Sequence, residues 1–401
     1  MSELSYLEKL LDGVEVEWLP LSGLARIRNG KDHKSLSEGE FPVYGSGGIM
    51  RYVDTYAYNK PSVLIPRKGS LGNLFFVNVP FWTVDTIFYT EIDEAQIRPK
   101  YLYYFLTTVG LGEMNQAGGV PSQTQSVLNK LKIPIPCPDN PEKSLAIQSE
   151  IVRILDTFSA LTAELTAELT AELNMRKKQY NYYRDQLLSF KEGEVEWKTL
   201  GDVTKKWYSG GTPTAGKIEY YENGNIPWLR TQEVKFSEID STEIKITQAA
   251  LKNSSAKWIP RNCVIIAISG ATAGRSAINK IPLTTNQHCG CLEIDDTKAL
   301  YRYVFHWVSF NYENIKSLGQ GARGDLNSTI IKNFKLPIPH ASDPQKSLKE
   351  QARIVEILDK FDTLTNSITE GLPREIELRQ KQYEYYRDLL FSFPKPETVS
   401  N

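Results

Sequence analysis

The sequence contains one stretch without glycine or proline, residues 142–190, that constrains how the rest of the chain can be arranged. Within it, Thr-Ala-Glu-Leu repeats in tandem and places a leucine every four residues, close to the 3.6-residue period of a helix. These leucines are Leu161, Leu165, Leu169 and Leu173. We predict one amphipathic helix, in which about 40 residues at about 1.5 Å each span roughly 60 Å. Such a helix is longer than a small domain is wide, so the other segments are expected on either side of it.

Two segments of the chain repeat. Lys132-Ile-Pro-Ile-Pro136 returns as Lys335-Leu-Pro-Ile-Pro339, and the helix-forming residues that follow keep the same offset of 203. Glu15-Val-Glu-Trp18, ahead of the first globular segment, returns as Glu194-Val-Glu-Trp197 ahead of the second. An offset of this length indicates two pseudo-equivalent halves, each ending in a long helix.

The second long helix differs from the first at one place. Gly371 and Pro373 stand where the first helix has Glu168 and Thr170. Proline removes a backbone donor and clashes with the preceding turn, so we predict a kink or a break near 370–374. Because a four-residue leucine repeat drifts about 40° per repeat, the two helices are expected to wrap around each other as an antiparallel coiled coil.

The segments before the helices alternate short apolar runs with Gly, Pro and Asn, as strands and turns do. The predicted fold class is α+β, with two pseudo-repeated mixed α/β domains separated by two long antiparallel helices that form a coiled coil. The predicted bounds are 1–145 for the first domain with a short N-terminal helix, 146–192 for the first long helix, 193–348 for the second domain, 349–393 for the second long helix and 394–401 for a disordered tail.

Composition excludes several classes of protein. The net charge is −1, so a nucleic-acid surface would have to come from local clustering of basic residues. No apolar run approaches the roughly 18 residues that a membrane span needs, and the first residues lack the pattern of a signal peptide. We expect a cytoplasmic protein without a membrane partner.

The sequence contains no motif that predicts catalysis or a metal site. Cys289 and Cys291 follow His288, but a structural zinc site needs a second ligand pair, so we interpret both cysteines as buried core residues. None of the glycine-rich turns has the spacing of a nucleotide loop. No methylation, helicase or nuclease motif was found, and a binding protein is favoured over an enzyme.

Positive charge concentrates in two stretches. Residues 26–72 contain eight basic and four acidic residues, and residues 205–280 contain eleven and six. Both stretches include glycine-rich turns and many Ser, Thr, Asn and Tyr residues, which contact phosphates and base edges in DNA complexes. On charge alone, a DNA surface and an ordinary solvated surface are both open.

A series of motifs carries a resemblance to a known family. It includes Ser209-Gly-Gly-Thr-Pro-Thr214, Gly224-Asn-Ile-Pro-Trp228, Ser269-Gly-Ala-Thr-Ala-Gly274 and, in the first half, Phe41-Pro-Val-Tyr-Gly-Ser-Gly-Gly48. Across essentially the whole chain the sequence resembles the specificity subunit of type I restriction-modification systems. The Thr-Ala-Glu-Leu tandem resembles the spacer helix of one subfamily, in which the number of repeats sets the length of a non-specific DNA spacer.

The resemblance implies a non-catalytic subunit that recognises a bipartite, asymmetric DNA site. Each target recognition domain would read one half-site, and the long helices would dock the other subunits. The implied partners are double-stranded DNA, two modification (methyltransferase) subunits and two restriction (translocase and nuclease) subunits. No cofactor is implied for this chain, since S-adenosylmethionine, ATP and Mg would be used by the partner subunits.

For contacts with DNA we select polar residues in the paired loops of the two domains. In the first domain these are Ser46, Arg51, Arg67, Lys68, Ser70, Asn73 and Gln123. In the second they are Thr212, Thr214, Arg230, Thr272, Arg275, Asn286, Gln287 and Arg323. The first domain has Val84-Asp85 where the second has Asn286-Gln287, which predicts different half-sites.

A duplicated cluster near the helix ends has two open interpretations. Tyr183 and Arg184 recur as Tyr386 and Arg387, and they would form either a modification-subunit interface or packing between helix ends. At the level of function, the rival to the restriction-system hypothesis is a duplicated binding or scaffold protein with no nucleic-acid role. Salt-dependent affinity for DNA would separate the two, because phosphate contacts release counterions.

Overall fold

The computed structural model describes residues 6–114, 120–191, 193–321, 324–367 and 370–394. The chain divides into two compact units. Unit 1 comprises the described residues of Met1–Thr170 and Glu375–Asn401, and unit 2 comprises those of Ala171–Arg374. The long helices are therefore shared between the units. Of the predicted tail 394–401, only Pro394 lies within the described residues.

The elements of the first half begin with a short helix and end with the first long helix, which continues from unit 1 into unit 2. In chain order they are α1 Tyr6–Leu11, β1 Val16–Pro20, α2 Leu21–Leu24, β2 Ala25–Asn29, β3 Phe41–Gly45, β4 Gly48–Val53, β5 Ser62–Pro66, β6 Phe75–Val77, β7 Trp82–Thr83, β8 Ile87–Ile92, α3 Pro99–Thr108, a 3-10 turn Leu111–Glu113, α4 Gln125–Leu128, β9 Lys132–Pro136 and α5 Pro141–Leu187.

The second half repeats this order with additional short elements. They are β10 Val195–Thr199, β11 Thr204–Ser209, β12 Ile226–Leu229, β13 Glu238–Ile239, β14 Ile244–Ile246, α6 Gln248–Lys252, β15 Val264–Ala267, β16 Ser276–Asn279, β17 Thr284–Thr285, β18 Cys289–Ile294, α7 Tyr301–Phe310, α8 Tyr312–Ser317, α9 Ser328–Asn333, β19 Lys335–Pro339, α10 Pro344–Asn366 and α11 Gly371–Leu390, with 3-10 turns at Ile218–Tyr220, Thr231–Glu233 and Gly270–Thr272.

The sequence motifs that reveal the duplication are strand partners. In unit 1, β1 pairs antiparallel with β9 so that Trp18 lies opposite Pro134. In unit 2, β10 pairs antiparallel with β19 so that Trp197 lies opposite Pro337. Each repeat therefore brings the start of its globular segment next to the strand that leads into the long helix.

The remaining sheets of the two units also correspond. Unit 1 has a four-stranded sheet, β2-β8-β5-β6, and a three-stranded sheet, β4-β3-β7. Unit 2 has a five-stranded sheet, β11-β18-β15-β16-β13, and a three-stranded sheet, β14-β12-β17. The prediction of two pseudo-repeated mixed α/β domains is confirmed. Cys289 and Cys291 of β18 are fully buried, and burial raises the pKa of the Cys289 thiol to about 12.

The N-terminal helix packs against the end of the last helix. Leu7 and Leu11 of α1 lie in the same core cluster as Leu390 and Phe391, which also contains Tyr101 of α3. The indole Nε1 of Trp18 donates a hydrogen bond of 2.8 Å to the Pro394 carbonyl. These contacts close unit 1 with chain segments from both ends.

The first long helix begins earlier and ends earlier than the predicted 146–192. Pro141 is its first residue, and the side chain of Asn140 accepts a hydrogen bond of 3.0 Å from the Lys143 N–H. An asparagine cap followed by proline satisfies the first turn of a helix, which explains the early start. Asp343 and Pro344 begin the second long helix in the same way.

The tandem leucines are only partly covered. Leu161 remains 50% exposed, and no residue of α5 beyond Leu155 is fully buried in the described part of the chain. In unit 1, Phe158 lies 5.6 Å from Tyr386 between ring centroids, and Ser159 Oγ donates a hydrogen bond to the Tyr383 hydroxyl. From Phe158 to Ser159 the residue number in α5 rises, while that of the contacted residue in α11 falls from Tyr386 to Tyr383. The two helices are therefore antiparallel. Among the described residues, the antiparallel packing leaves part of each tandem leucine in solvent.

The second long helix is divided into two helices. α10 ends at Asn366 and α11 begins at Gly371, ahead of most of the predicted range 370–374. Gly371 has a φ of +77°, and a Cβ there would lie 2.5 Å from the Thr363 carbonyl oxygen. Pro373 then lies in the first turn of α11, where its missing N–H costs nothing. The glycine makes the break, and the proline begins the new helix.

A buried glutamine joins each long helix to its domain. Gln148 Oε1 accepts a hydrogen bond of 2.8 Å from the Arg98 N–H, and Gln351 Oε1 accepts one of 2.9 Å from the Leu300 N–H. Each amide nitrogen donates to a serine one turn earlier and to a backbone carbonyl before the same domain helix. Both glutamines are fully buried.

An aspartate about two turns further along makes a second matched contact. Asp156 accepts hydrogen bonds from Lys100 and Tyr104, and Asp359 accepts them from Arg302 and His306. Burial works to raise the pKa of the Asp359 carboxyl, but the hydrogen bonds and charges of His306 and Arg302 outweigh it and hold the pKa below its usual value.

Among the described residues, no helix combines the length and the apolar character needed to cross a membrane.

We expect Asp359→Asn to destabilise unit 2 by about 2 kcal/mol at pH 7, because a carboxylate hydrogen-bonded to charged donors is lost. Since the folded-state pKa is lowered, this stabilisation is present above the unfolded-state pKa of about 3.9 and is lost as pH falls through the folded-state pKa. The difference in thermal unfolding between wild type and variant should therefore shrink below about pH 4.

Thermal unfolding from pH 7 to pH 3 measures this difference. Asp240→Asn removes one exposed carboxylate from the same unit and serves as the control. A difference between wild type and Asp359→Asn that stays constant down to pH 3 would contradict the role of the ion pair.

Candidate nucleic-acid interface

The same loops meet at one edge of each unit. In unit 1 they are residues 29–33, 67–73, 84–86 and 121–123, which we name the first loop edge. In unit 2 they are residues 209–213, 268–275, 286–288 and 324–326, which we name the second loop edge. Each set follows the ends of corresponding strands of the sheets described above.

Backbone hydrogen bonds hold the two loop edges in the same way. The carbonyl of Thr86 accepts from Arg67 N–H at 2.8 Å, as that of His288 accepts from Ile268 N–H at 2.9 Å. The loop 67–73 also binds the segment 121–123, through a hydrogen bond from Gln123 N–H to the Arg67 carbonyl. In unit 2 the loop 268–275 binds the segment 324–326 in the same way, through Leu326 N–H to the carbonyl of residue 268. The backbone positions are therefore equivalent although the side chains differ.

Four of the residues predicted in the first domain lie in the first loop edge, and a fifth, Ser46, contacts it; the four are Arg67, Lys68, Ser70 and Asn73. Ser46 lies in the β3–β4 turn, where its N–H donates to Thr86 Oγ1 and its carbonyl accepts from Asn73 Nδ2 at 3.3 Å. Lys68, Ser70 and Asn73 are exposed. The backbones of Lys68 and Ser122 form an isolated antiparallel β-bridge, which fixes the loop. The Lys68 side chain stays exposed.

Two predicted residues of the first domain have contacts within the protein. Arg51 lies on β4, and its Nη2 donates a hydrogen bond of 3.1 Å to the carbonyl of Leu36 in the segment before β3. Gln123 is 2% exposed and donates from Nε2 to the Pro66 carbonyl at 2.6 Å. In this arrangement Gln123 fixes the loop that carries Arg67 and Lys68 and presents no surface to a ligand, contrary to the predicted direct contact.

A chain of polar side chains crosses the second loop edge. Thr212 Oγ1 donates to Gln287 Oε1 at 2.7 Å, Gln287 Nε2 lies 3.2 Å from His288 Nε2, and His288 Nδ1 lies 2.6 Å from Ser269 Oγ. Thr212, Gln287 and His288 are exposed. Three loops thus contribute to one continuous hydrogen-bonded surface.

Two other predicted residues of the second domain are occupied. Arg230 forms ion pairs with Glu233 and, through Nη2 at 2.5 Å, with Glu243. Asn286 is buried and its Oδ1 accepts a hydrogen bond from the His288 N–H. Both side chains therefore shape the turn that carries Gln287, and neither faces solvent freely, unlike the predicted base contacts.

The remaining predicted residues lie near the same edge or outside the described part. Thr272 ends the 3-10 turn Gly270–Thr272, and its carbonyl accepts from the N–H of Arg275, whose side chain is half-buried. Thr214 is exposed beyond the first loop of the edge. Arg323 lies outside the described residues.

Sequence reasoning missed Ser269 and His288 as surface residues, although both lie in motifs that it quoted. It also missed the apolar residues Ile49, Met50 and Tyr52 that follow the β3–β4 turn and are about half exposed. Their position directly after a glycine-rich turn was the available signal.

The helix-end cluster shows both packing and exposure. Tyr183 stacks on Phe361 at 5.5 Å in unit 2, and Tyr386 packs on Phe158 in unit 1. Arg184 lies over the Phe310 ring at 5.1 Å and pairs with Asp185, while Arg387 pairs with Asp388. The neighbouring Tyr182 and Tyr385 are 61% and 64% exposed. The inner residues of the cluster stabilise the helix ends, and the outer tyrosines form a free surface.

The loop edges have the chemistry of a binding surface. In the described part of the chain, no three His, Cys, Asp or Glu side chains meet as a metal site. Hydroxyl, amide and ammonium groups on adjacent loops are the groups that contact phosphates and base edges.

Comparison with known proteins assigns the family. A family model described as the type I restriction modification DNA specificity domain matches residues 14–175 and again residues 192–378. The EcoR124I/EcoR124II type I restriction enzyme specificity subunit of Escherichia coli is 49% identical over 100% of both chains. The EcoprrI specificity subunit of Escherichia coli is 37% identical over 92% of this chain and 93% of the relative.

Solved structures share the fold. A type I restriction-modification S subunit from M. genitalium superposes with a TM-score of 0.52 at 16% identity, over 96% of this chain and 98% of that one. A chain from a study of complex assembly and conformational transition of the type I R-M system has a TM-score of 0.58 at 14% identity, over 94% and 97%. The duplicated domains, the paired long helices and the two family matches agree, and the chain belongs to the specificity subunits of type I restriction-modification enzymes.

Proposed function

We propose that this subunit recognises a bipartite, asymmetric DNA sequence, with each loop edge reading one half-site. The observation that carries the proposal is the matched backbone of the two edges with unmatched side chains. Asp85, Thr86 and Lys68 occupy the positions of Gln287, His288 and Ser269. Equivalent scaffolds with different polar groups support different base preferences, as an asymmetric site requires.

The partner subunits supply the chemistry in this proposal. Two modification subunits methylate adenine with S-adenosylmethionine, and two restriction subunits use ATP and Mg for translocation and cleavage, in the cytoplasm where the DNA lies. This chain binds no cofactor and acts as reader and scaffold. The family assignment and the pseudo-symmetry of the two units support a pair of modification subunits.

Co-expression with the cognate modification subunit should produce one bipartite motif, with one methylated adenine on each strand. Modified-base sequencing of the host DNA measures it. If the complex assembles, binds DNA with no dependence on salt and modifies nothing, the rival scaffold function is favoured, because phosphate contacts make DNA affinity fall with salt concentration.

We further propose that the Thr-Ala-Glu-Leu repeats set the length of the non-specific spacer between the half-sites, as in the subfamily that the tandem resembles. Residues 161–173 lie in the unbroken helix α5, which belongs to both units. One repeat adds about 6 Å and about 40° of rotation to a helix, against about 3.4 Å per base pair of DNA. The exposed helix surface and incomplete leucine burial support tolerance of such length changes.

Deletion of residues 162–165, one repeat, should shorten the spacer of the methylated motif by about one or two base pairs and leave both half-sites unchanged. Modified-base sequencing of the variant complex gives spacer and half-sites together. Replacing the same four residues by four alanines keeps the helix length and is the matched control, for which the wild-type spacer is expected. Altered half-site bases in the deletion variant would contradict the proposal.

We propose that the exposed tyrosines at the helix ends dock the modification subunits. Tyr182 and Tyr385 are equivalent by the 203-residue offset, and each lies beside a tyrosine that packs inward. Large exposed aromatic side chains in pairs are typical of protein interfaces.

Tyr182→Ala with Tyr385→Ala should weaken binding of the modification subunit by about 30-fold or more at each site, since an aromatic anchor contributes at least about 2 kcal/mol at an interface centre. Titration calorimetry or sedimentation measures the affinity. Thermal unfolding of the isolated subunit should remain near the wild type, because both side chains are exposed. Unchanged affinity in a variant of normal stability would rule out this docking site.

A further inference from the structure

The amide of Gln287 is held by its neighbours on both sides. Thr212 Oγ1 donates to Gln287 Oε1 at 2.7 Å, and Gln287 Nε2 lies 3.2 Å from His288 Nε2. His288 is held in turn by Ser269 Oγ at Nδ1, 2.6 Å away. An exposed glutamine ordinarily loses rotamer entropy when it binds a ligand, and this arrangement removes part of that cost in advance.

The pattern of hydrogen bonds determines what remains free on the amide. An amide nitrogen only donates, so His288 Nε2 accepts, and its Nδ1–H donates to Ser269. Gln287 Oε1 then keeps one lone pair and Nε2 keeps one N–H. If the amide oxygen and nitrogen exchanged places, one lone pair and one N–H would still remain free. Thr212 would then accept instead of donate, and His288 Nε2 would donate instead of accept.

One free N–H beside one free carbonyl lone pair matches a single base edge in the major groove. Adenine presents the N7 acceptor next to the N6 donor, and the side-chain amide of glutamine pairs with both. We propose that Gln287 reads an adenine in the half-site of unit 2, with Thr212, His288 and Ser269 as positioning residues. This inference rests on the proposed DNA-recognition function and names the contact that the second loop edge makes.

The neighbouring backbone accounts for the placement of Gln287. Gly211 N–H donates to the Thr285 carbonyl at 2.9 Å, which holds the loop with Thr212 against the strand before Gln287. A Cβ on Gly210 would lie 1.8 Å from the Thr285 carbonyl oxygen, so only glycine allows this approach. Asn286 and Arg230, the other polar candidates nearby, are engaged within the protein as described above. Gln287 is left as the exposed amide of this turn.

Replacement of the amide by a carboxylate tests the inference in the complete complex with the modification subunits. Gln287→Glu presents only acceptors, which match the N4 donor of cytosine rather than adenine. Modified-base sequencing should show one adenine of one half-site replaced by cytosine or becoming degenerate, with the other half-site unchanged. Gln248→Glu, an exposed glutamine on α6, is the control with the same change of charge and should keep the wild-type motif.

Binding measurements cover the case in which Gln287→Glu no longer methylates DNA. The wild-type complex should bind oligonucleotides with that adenine replaced about 5- to 150-fold more weakly than its own site. The Gln287→Ala complex should bind all four bases at that position with equal affinity. Thr212→Val should reduce discrimination at the same position and leave the other positions unchanged, which a general loss of structure would not do.

Failure of the Gln287 inference and failure of the proposed DNA-recognition function give different results. If the wild-type complex methylates a bipartite site and Gln287→Ala keeps full discrimination at every position, Gln287 is not a base reader and the proposed function stands. If the wild-type complex shows no sequence-dependent DNA binding, the proposed function itself is wrong.

Discussion

The structure depends on hydrogen bonds between a buried glutamine in each long helix and the backbone of the adjoining domain. Gln148 and Gln351 each satisfy the N–H of the residue directly before a domain helix and the carbonyl of the residue two positions earlier. These backbone groups are otherwise unpaired at the helix start, and leaving them buried without partners would cost about 1–3 kcal/mol each. The glutamine therefore fixes where the domain helix meets the long helix, and the aspartate about two turns later orients the contact.

Because the glutamine contacts fix each domain on its long helix, the residues that stabilise the fold are separate from the loop residues proposed to recognise DNA. The strand pairs, the domain helices and the glutamine contacts repeat in both units, whereas the loop edges vary on an equivalent backbone. The carbonyls of Thr86 and His288 receive the same backbone hydrogen bond, but one carries a hydroxyl side chain and the other an imidazole. A specificity subunit needs this separation, because new half-sites can then arise from changed loop side chains without any change to the helices that hold the domains.

Much of the architecture followed from local pattern. The repeat at offset 203 was predicted, and its motifs form the matched strand pairs β1 with β9 and β10 with β19. The helix limits were less accurate, because Asn140 and Asp343 act as caps and start both long helices about five residues before the predicted positions. The break in the second long helix was predicted from Gly371 and Pro373. The new helix begins at Gly371, where the chain passes so close to the end of α10 that a side chain would not fit.

The sequence by itself determined the duplication, the long helices and the loops that carry polar residues, because helical periodicity, turn residues and repeated motifs are local properties of the chain. Tertiary structure alone decided which polar residues face solvent. Arg230, Asn286 and Gln123 are as polar as Gln287, yet Glu243, the His288 backbone and the Pro66 carbonyl engage them. Those partners lie up to 57 residues away in the chain. A side chain can read DNA only when its contacts within the protein leave a donor or an acceptor unused and exposed, as those of Gln287 do, and that depends on contacts between distant segments.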